Sequence, residues 1–227
     1  MATRTFDFQG ADGVLLSGRL ALPAAAVRGW ALFAHCFTCG KDALAAVRIS
    51  RALADAGIGV MRFDFAGVGA SEGEFGETTF ASNIADLVAA AAAMEATDMP
   101  TALLIGHSFG GAAVLAAASG IPAARAVATI AAPFDVAHIL HQFGPDSVGQ
   151  IEQDGEADVR LAGRLFRVQR SFVDDVRQQV QEPRIAALPR RSVRNRHYSR
   201  RRRCGRSDRS TQRRPSRCCL HPPHPAS

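Results

Sequence analysis

Apolar and polar positions along the first 189 residues form two kinds of segment. Short apolar runs predict strands that are buried on both faces, and these runs lie at residues 30–34, 58–63, 101–105 and 126–131. Longer stretches with apolar residues on one side predict helices, and these lie at residues 42–56, 79–96, 109–119 and 171–180. An antiparallel pair over residues 3–9 and 14–22 precedes them. Strands separated by helices predict an α/β fold with a mostly parallel, doubly wound sheet.

Charge divides the chain near residue 189. The whole sequence has a formal net charge of +6, but residues 1–189 carry −6 and residues 190–227 carry +12. Only seven of the last 38 residues are apolar, too few to offset the entropy of an ordered chain, so residues 190–227 are predicted to be a disordered, arginine-rich tail. Such a tail could bind nucleic acid or an anionic surface through charge alone. That binding would be non-specific and sensitive to salt.

Neither a membrane span nor a secretory signal is evident in the sequence. No run of about 18 apolar residues occurs, and the first ten residues lack an apolar signal core. A cytoplasmic protein is therefore expected.

A candidate nucleophile follows the apolar run at 101–105. The run leads into the pentapeptide GHSFG at 106–110, and a helix of small residues is predicted after it. The pattern G-x-S-x-G between a buried strand and a helix is typical of a nucleophile elbow, in which the serine, here Ser108, sits on a turn too tight for side chains at Gly106 and Gly110. A glycine-rich turn without chemistry is the alternative, and the flanking strand and helix favour the elbow.

The loop after the strand at 30–34 is expected to supply a second oxyanion donor. Its sequence begins His35-Cys36-Phe37, where His-Gly-X is the usual pattern and the N–H of X is the donor. The donor would then be Phe37, in a turn that must tolerate the side chain of Cys36. We expect His35 to order this loop rather than to act as a base.

A third loop, at residues 62–73, is rich in glycine. Its Asp64 is expected to hydrogen-bond loop N–H groups near the oxyanion loop. A phosphate-binding loop is the alternative interpretation, but the Gly-Lys-Ser/Thr ending is missing.

Three such loops in this order closely resemble the α/β-hydrolase superfamily. The pattern D-x-x-G-x-G-x-S-x-G at 64–73 is most similar to the serine aminopeptidase and esterase branch. The string AHCFTCGKD at 34–42 resembles the hydrolase half of bacterial proteins that fuse an α/β-hydrolase to a C-terminal OsmC-like domain, as do residues 131–136 and the short hairpin at 155–170. The resemblance covers about residues 3–189, which we take as the hydrolase domain.

The resemblance implies an α/β-hydrolase fold and a serine hydrolase acting on an ester or amide. It makes Ser108 the nucleophile and the backbone N–H groups of Phe37 and Phe109 the oxyanion hole. A cap is expected over about residues 140–180. The expected substrate is a small molecule, and neither a cofactor nor a metal is expected. The oligomeric state cannot be deduced.

The acid and base of the triad are not apparent. In this fold the order is Ser, then Asp or Glu, then His, but no strand of four or more apolar residues follows residue 189. The fold is therefore expected to be incomplete at its C-terminal strands and the activity impaired. We hypothesise that the coding sequence is read out of frame from about residue 190. The substitutes within the domain are Asp135, His138 and His141, whereas His107 is expected to point away from its neighbour's Oγ.

The pair Cys36-x-x-Cys39 also permits a redox or metal interpretation. No second C-x-x-C occurs in the predicted domain, and His35 alone does not complete a zinc site. Two reduced thiols at the rim of the active site are therefore expected.

Overall fold

The computed structural model describes residues 2–144 and 146–188, together with the backbone of residues 193–195. Its strands are β1 (Ala2–Thr5), β2 (Phe8–Gln9), β3 (Leu15–Leu16), β4 (Gly18–Leu22), β5 (Gly29–Ala34), β6 (Ile58–Phe63), β7 (Thr101–His107), β8 (Ala126–Ile130), β9 (Glu156–Leu161), β10 (Arg164–Gln169) and β11 (Val193–Asn195). Its α-helices are α1 (Leu44–Asp55), α2 (Phe80–Glu95), α3 (Phe109–Ala117), α4 (Ser147–Asp154), α5 (Arg170–Gln178) and α6 (Glu182–Ala186). Short 3-10 helices cover Phe75–Glu77, Ala118–Gly120 and Val136–Gln142.

The main sheet has seven strands in the order β1-β4-β6-β5-β7-β8-β11. The pairs β1–β4 and β4–β6 are antiparallel, and the four pairs from β6 to β11 are parallel. The mostly parallel sheet predicted from the sequence is therefore confirmed. The chain runs from β5 to β6 on one side and then crosses to β7 on the other. In such sheets ligands bind at the carboxyl ends of strands where the order reverses, which here means the loops after β5 and β7.

Helices cover both faces of the sheet, as a doubly wound arrangement requires. Along β5, Leu32 belongs to the larger apolar cluster, under α2 and α3, while Ala31 and Phe33 belong to the smaller cluster under α1. Adjacent strand residues point to opposite faces, so a strand buried on both sides must be apolar at consecutive positions. This explains why the predicted buried strands are continuous apolar runs.

The segment between β8 and α6 folds over the carboxyl ends of the strands. It contains the antiparallel hairpin β9–β10, which agrees with the hairpin expected at 155–170. Its phenylalanines contact two loops: the ring centroids of Phe172 and Phe37, in the loop after β5, are 5.0 Å apart, and those of Phe166 and Phe75, in the 3-10 helix before α2, are 4.6 Å apart. The segment predicted to be a cap therefore packs against these loops through aromatic contacts.

The two ends of the sheet differ in detail from the expectation. The N-terminal antiparallel pair forms two separate ladders, β1–β4 and β2–β3, with residues 6–7 between β1 and β2. At the other end, three residues of the segment predicted to be a disordered tail form β11, which pairs in parallel with β8. Strand pairing uses backbone groups, so an unpaired edge can accept a strand with few apolar residues. Apart from β11, the segment predicted to be a disordered tail, residues 190–227, lies outside the described residues.

Among the described residues, no helix has both the length and the apolar character needed to cross a membrane.

Candidate active site

Ser108 occupies a strained turn between β7 and α3. Its φ is +54° and its ψ is −121°, a conformation that residues with a side chain rarely adopt. The Ser108 N–H donates to the carbonyl of Ile130 at 2.8 Å, and the Ser108 carbonyl accepts from the N–H of Gly111 at 2.8 Å. The turn is therefore held by both β8 and α3. Strained residues of this kind concentrate at functional sites.

The two glycines of the elbow are required by close backbone contacts. A Cβ placed at Gly106 would lie 2.3 Å from the carbonyl oxygen of Gly110. A Cβ at Gly110 would lie 2.2 Å from the carbonyl oxygen of His35. The backbone of the elbow therefore packs directly against the backbone of the loop after β5, which is the loop expected to carry the second oxyanion donor.

Phe37 and Phe109, the two expected oxyanion donors, lie side by side. Their ring centroids are 4.9 Å apart, and both side chains are buried. Phe109 is the first residue of α3, so its N–H has no partner within the helix. Among the described residues none accepts a hydrogen bond from the N–H of Phe37. Cys36 does not have a positive φ, so a side chain replaces the usual glycine there without backbone strain.

Both ring nitrogens of His35 are hydrogen-bonded to backbone groups. Its Nε2 accepts a weak hydrogen bond, 3.5 Å long, from the backbone N–H of Phe65, so its Nδ1 carries the proton and donates to the carbonyl of Cys36 at 2.7 Å. Burial lowers the pKa of His35, although the bond to the Cys36 carbonyl opposes this effect. A neutral imidazole with both nitrogens engaged positions the loop and is not free to take a proton from Ser108.

Asp64 connects the loop after β5 to the glycine-rich loop after β6. Its carboxylate accepts from Lys41 Nζ and from the Lys41 backbone N–H, both at 2.5 Å, and from the N–H of Ala70 at 3.0 Å. Glycines make room for it, since a Cβ at Gly69 would lie 2.3 Å from a carboxylate oxygen of Asp64. Sequence reasoning anticipated the role of Asp64 but missed Lys41. The available signal was that Lys41, the single lysine of the chain, lies in this loop.

The Asp64 carboxylate is stabilised in its charged form. Burial alone raises its pKa, but the hydrogen bonds from Lys41 and Ala70 and the charge of Lys41 outweigh burial, so the pKa is below its ordinary value of 3.8. A buried ion pair of this kind requires both partners, because either charge alone would be left without compensation.

Ser108 opens into a cavity of about 380 Å³ at the carboxyl ends of β7 and β8. The remaining lining residues are mostly apolar with two polar exceptions, and they are Phe109, Ala131, Ala132, Pro133, Ile139, His138 and Gln142. Ala131 also has a positive φ, of +50°. Two strained residues therefore border the same cavity, whose volume suits a small-molecule ligand.

The structure places the three substitute acid and base residues differently. His138 lines the cavity of Ser108, and its Nδ1 lies 3.2 Å from the Nδ1 of His141. Asp135 accepts a hydrogen bond from the N–H of Ala137 at 2.9 Å and thereby caps the 3-10 helix at Val136–Gln142. Asp135 is therefore engaged with the backbone of its own helix. Among the described residues no hydrogen bond joins Ser108 Oγ to a histidine.

His107 is half-buried at the end of β7, and no hydrogen bond involves its ring in the part of the chain that the structure describes.

No group of three or more metal-ligating side chains is found among the described residues.

The expectation of two reduced thiols at Cys36 and Cys39 is wrong for this structure. The two residues form a disulfide, with their Cα atoms 5.2 Å apart. The physical reason is the turn that the loop makes, in which the Cys39 N–H donates to the Cys36 carbonyl at 3.1 Å. This turn brings the two Cα atoms into the distance range that a disulfide needs. The sequence spacing of the two cysteines does not by itself establish that distance.

Comparison with known families gives one family match. A family model described as the alpha/beta hydrolase family matches residues 29–219. No curated protein matches the chain.

Solved structures with the same fold include a similar esterase. The esterase domain of a Rhodothermus marinus protein is 43% identical over 85% of this chain and 75% of that one, with a TM-score of 0.65. The Est1E protein of Butyrivibrio proteoclasticus, solved with ferulic acid bound, is 21% identical over 78% of this chain and 72% of that one, with a TM-score of 0.66. A serine hydrolase without a lid from Xanthomonas campestris is 27% identical over 59% of this chain and 63% of that one, with a TM-score of 0.50. The α/β-hydrolase fold expected from the sequence is thereby confirmed.

The contact at Gly110 gives a first prediction. Gly110→Ala should destabilise the protein by about 2–3 kcal/mol, because the new Cβ meets the backbone carbonyl of His35, which cannot move aside as a side-chain tip could. Urea denaturation measures the effect. The matched control is Gly149→Ala in α4, where nothing lies within 4 Å of the new Cβ, so the free energy of unfolding should stay equal or rise by up to about 1 kcal/mol. Equal stabilities of the two variants would contradict the close contact.

The ion pair gives a second prediction, which depends on pH. Asp64→Asn should destabilise the protein by about 3 kcal/mol at pH 7, because the buried Lys41 loses its carboxylate. Since the folded-state pKa of Asp64 is lowered, its stabilisation is fully present above pH 3.8 and is lost as the pH falls through the lower folded-state value. The difference between wild type and variant should therefore shrink below pH 3.8.

Urea denaturation at pH 7, 5 and 3 tests this dependence. Asp174→Asn is the matched control, because Asp174 forms an exposed ion pair with Arg170 at 3.5 Å. That pair should contribute less than about 1 kcal/mol. A pH-independent deficit in Asp64→Asn would show that the carboxylate charge is not what stabilises the loop.

Proposed function

Because this chain belongs to the alpha/beta hydrolase family, we propose that it is a serine hydrolase that cleaves an ester or amide of a small molecule through an acyl-enzyme on Ser108. The observation that carries the proposal is the strained Ser108, which borders a cavity of about 380 Å³ beside the loop of Phe37. The similarity to an esterase domain of Rhodothermus marinus supports an ester as the substrate.

The proposed reaction proceeds in two balanced steps. Ser108 Oγ attacks the substrate carbonyl carbon and gives its proton to a base, while the oxygen of the tetrahedral intermediate accepts hydrogen bonds from the N–H groups of Phe37 and Phe109. The intermediate expels the alcohol or amine, which takes the proton from the base. Water then attacks the acyl-enzyme by the same route and releases the acid.

We propose that His138 is the general base that accepts the proton of Ser108. It is the single histidine that lines the Ser108 cavity among the described residues. If its Nδ1–H donates to His141 Nδ1, which lies 3.2 Å away, its Nε2 keeps the lone pair needed to accept a proton. His141 would then have the orienting role that a carboxylate has in the usual triad. Because His138 is exposed and not hydrogen-bonded to Ser108, the activity should be low.

The apolar wall of the cavity favours a substrate that carries an apolar group next to the reacting carbonyl. Ala132, Pro133 and Ile139 form this wall. Binding of nucleic acid or an anionic surface by residues 190–227 rests on sequence alone, as does a cytoplasmic location, and both stay predictions.

A covalent probe tests the nucleophile. A fluorophosphonate should label the wild-type protein at Ser108, as identified by peptide mass, and Ser108→Ala should abolish the labelling together with hydrolysis of p-nitrophenyl acetate. Ser119→Ala is the matched control, since Ser119 is exposed just beyond α3 and its loss should change nothing. A wild-type protein that the probe does not label would refute the serine mechanism.

A separate variant tests the base. His138→Ala should slow fluorophosphonate labelling by about 100-fold, at the low end of what general-base catalysis contributes. Gln142→Ala changes another polar residue of the same cavity and should alter the rate less than about twofold. Labelling of His138→Ala at the wild-type rate would mean that the base lies elsewhere.

A further inference from the structure

The disulfide between Cys36 and Cys39 encloses Phe37 and Thr38 within the loop after β5. The Cα atoms of the two cysteines are 5.2 Å apart, and the turn between them is closed by the hydrogen bond from the Cys39 N–H to the Cys36 carbonyl. One residue inside this loop is Phe37, whose N–H is the proposed oxyanion donor. The covalent bond therefore constrains the backbone unit that the proposed reaction depends on.

Contacts around the loop connect the disulfide to the elbow. The Cys36 carbonyl also accepts the Nδ1–H of the buried His35, so two donors fix the orientation of the peptide between Cys36 and Phe37. The N–H of that peptide is the Phe37 donor itself. On the other side, the Phe37 ring packs against Phe109, so a change in the loop is transmitted to the side chain next to Ser108.

The disulfide is partly exposed to solvent, whereas two residues beside it in the loop are buried. Cys36 and Cys39 are partly exposed, whereas His35 and Phe37 are buried at 2% and 8% exposure. Thiol–disulfide exchange requires that a thiolate reach one of the sulfurs. A dithiol can therefore approach this bond without unfolding of the core.

We propose that Cys36–Cys39 is a redox-active disulfide that controls the reactivity of Ser108, which is higher in the oxidised form. This inference rests on the proposed function. A thiolate of a dithiol reductant attacks one cysteine sulfur, and the other cysteine leaves as a thiolate that takes up a proton. The second thiol of the reductant then displaces the remaining cysteine. The disulfide gains two electrons and two protons, and the dithiol is oxidised to its own disulfide.

Reduction releases the covalent constraint but leaves the noncovalent ones. The turn hydrogen bond, the His35 contact and the packing of Phe37 remain, so the loop stays folded while the Phe37 N–H becomes less well oriented. Complete removal of an oxyanion donor lowers the rate by about 100- to 1,000-fold. Loss of orientation alone should lower it by a smaller factor, about tenfold.

The test measures the rate of fluorophosphonate labelling of Ser108 in the full chain after treatment with dithiothreitol or with diamide. Alkylation and peptide mapping establish the state of Cys36 and Cys39 in each sample. The expected result is labelling about tenfold slower in the reduced protein, reversed by reoxidation. The double variant Cys36→Ser/Cys39→Ser should label at the reduced rate under both conditions.

Controls and outcomes separate the two proposals. The triple variant Cys204→Ser/Cys218→Ser/Cys219→Ser should keep the redox response, because its substitutions leave the pair in the oxyanion loop intact. Equal labelling rates in the two states, or failure of Cys36 and Cys39 to form a disulfide with diamide, would overturn the redox control while the serine mechanism stands. No labelling in either state would overturn both.

Discussion

The backbone of the Ser108 turn lies directly against the carbonyl groups of the loop after β5, and the rest of the site depends on this contact. It exists because residue 110 is glycine, since any Cβ there would meet the His35 carbonyl at 2.2 Å. The contact brings the ends of two neighbouring parallel strands together without an intervening side chain. The two proposed oxyanion donors, the N–H groups of Phe37 and Phe109, therefore belong to two loops that touch each other.

A charged contact holds the third loop to the same point. Asp64 leaves β6 and bonds to Lys41, which follows β5. The ion pair, the backbone contact at Gly110 and the packing of Phe172 against Phe37 together hold the three loops next to one another. The geometry around Ser108 thus depends on contacts between the three loops.

The sequence predicted the parts of the site that local patterns encode. The strands and helices follow from apolar periodicity, and the elbow at Ser108 follows from glycines at fixed spacing between a strand and a helix. Other parts depend on distances between residues far apart or on the shape of a turn. The partner of Asp64, the entry of His138 into the cavity and the disulfide belong to this group. The prediction of reduced thiols failed because a C-x-x-C pattern does not specify whether its turn brings the two Cα atoms within bonding range.

The same limit applies to the C-terminal edge of the sheet. Residues 193–195 have too few apolar neighbours to be predicted as a strand, yet their backbone pairs with β8. Backbone pairing depends on the N–H and C=O groups that the neighbouring strand leaves unpaired. The amino-acid composition of a segment carries little information about these groups. The apolar content of a segment therefore predicts whether it can form a core, and predicts less well whether it can complete an edge.

The burial of Lys41 has a practical consequence for the chemistry of the whole chain. Lys41 is the only lysine in the sequence, its side chain is 7% exposed, and its Nζ is bound to Asp64. Reagents and enzymes that acylate lysine side chains need an accessible amine, and this one is buried against Asp64. The protein therefore lacks a reactive lysine ε-amine while it is folded, and modification of Lys41 would report that the loop after β5 has opened.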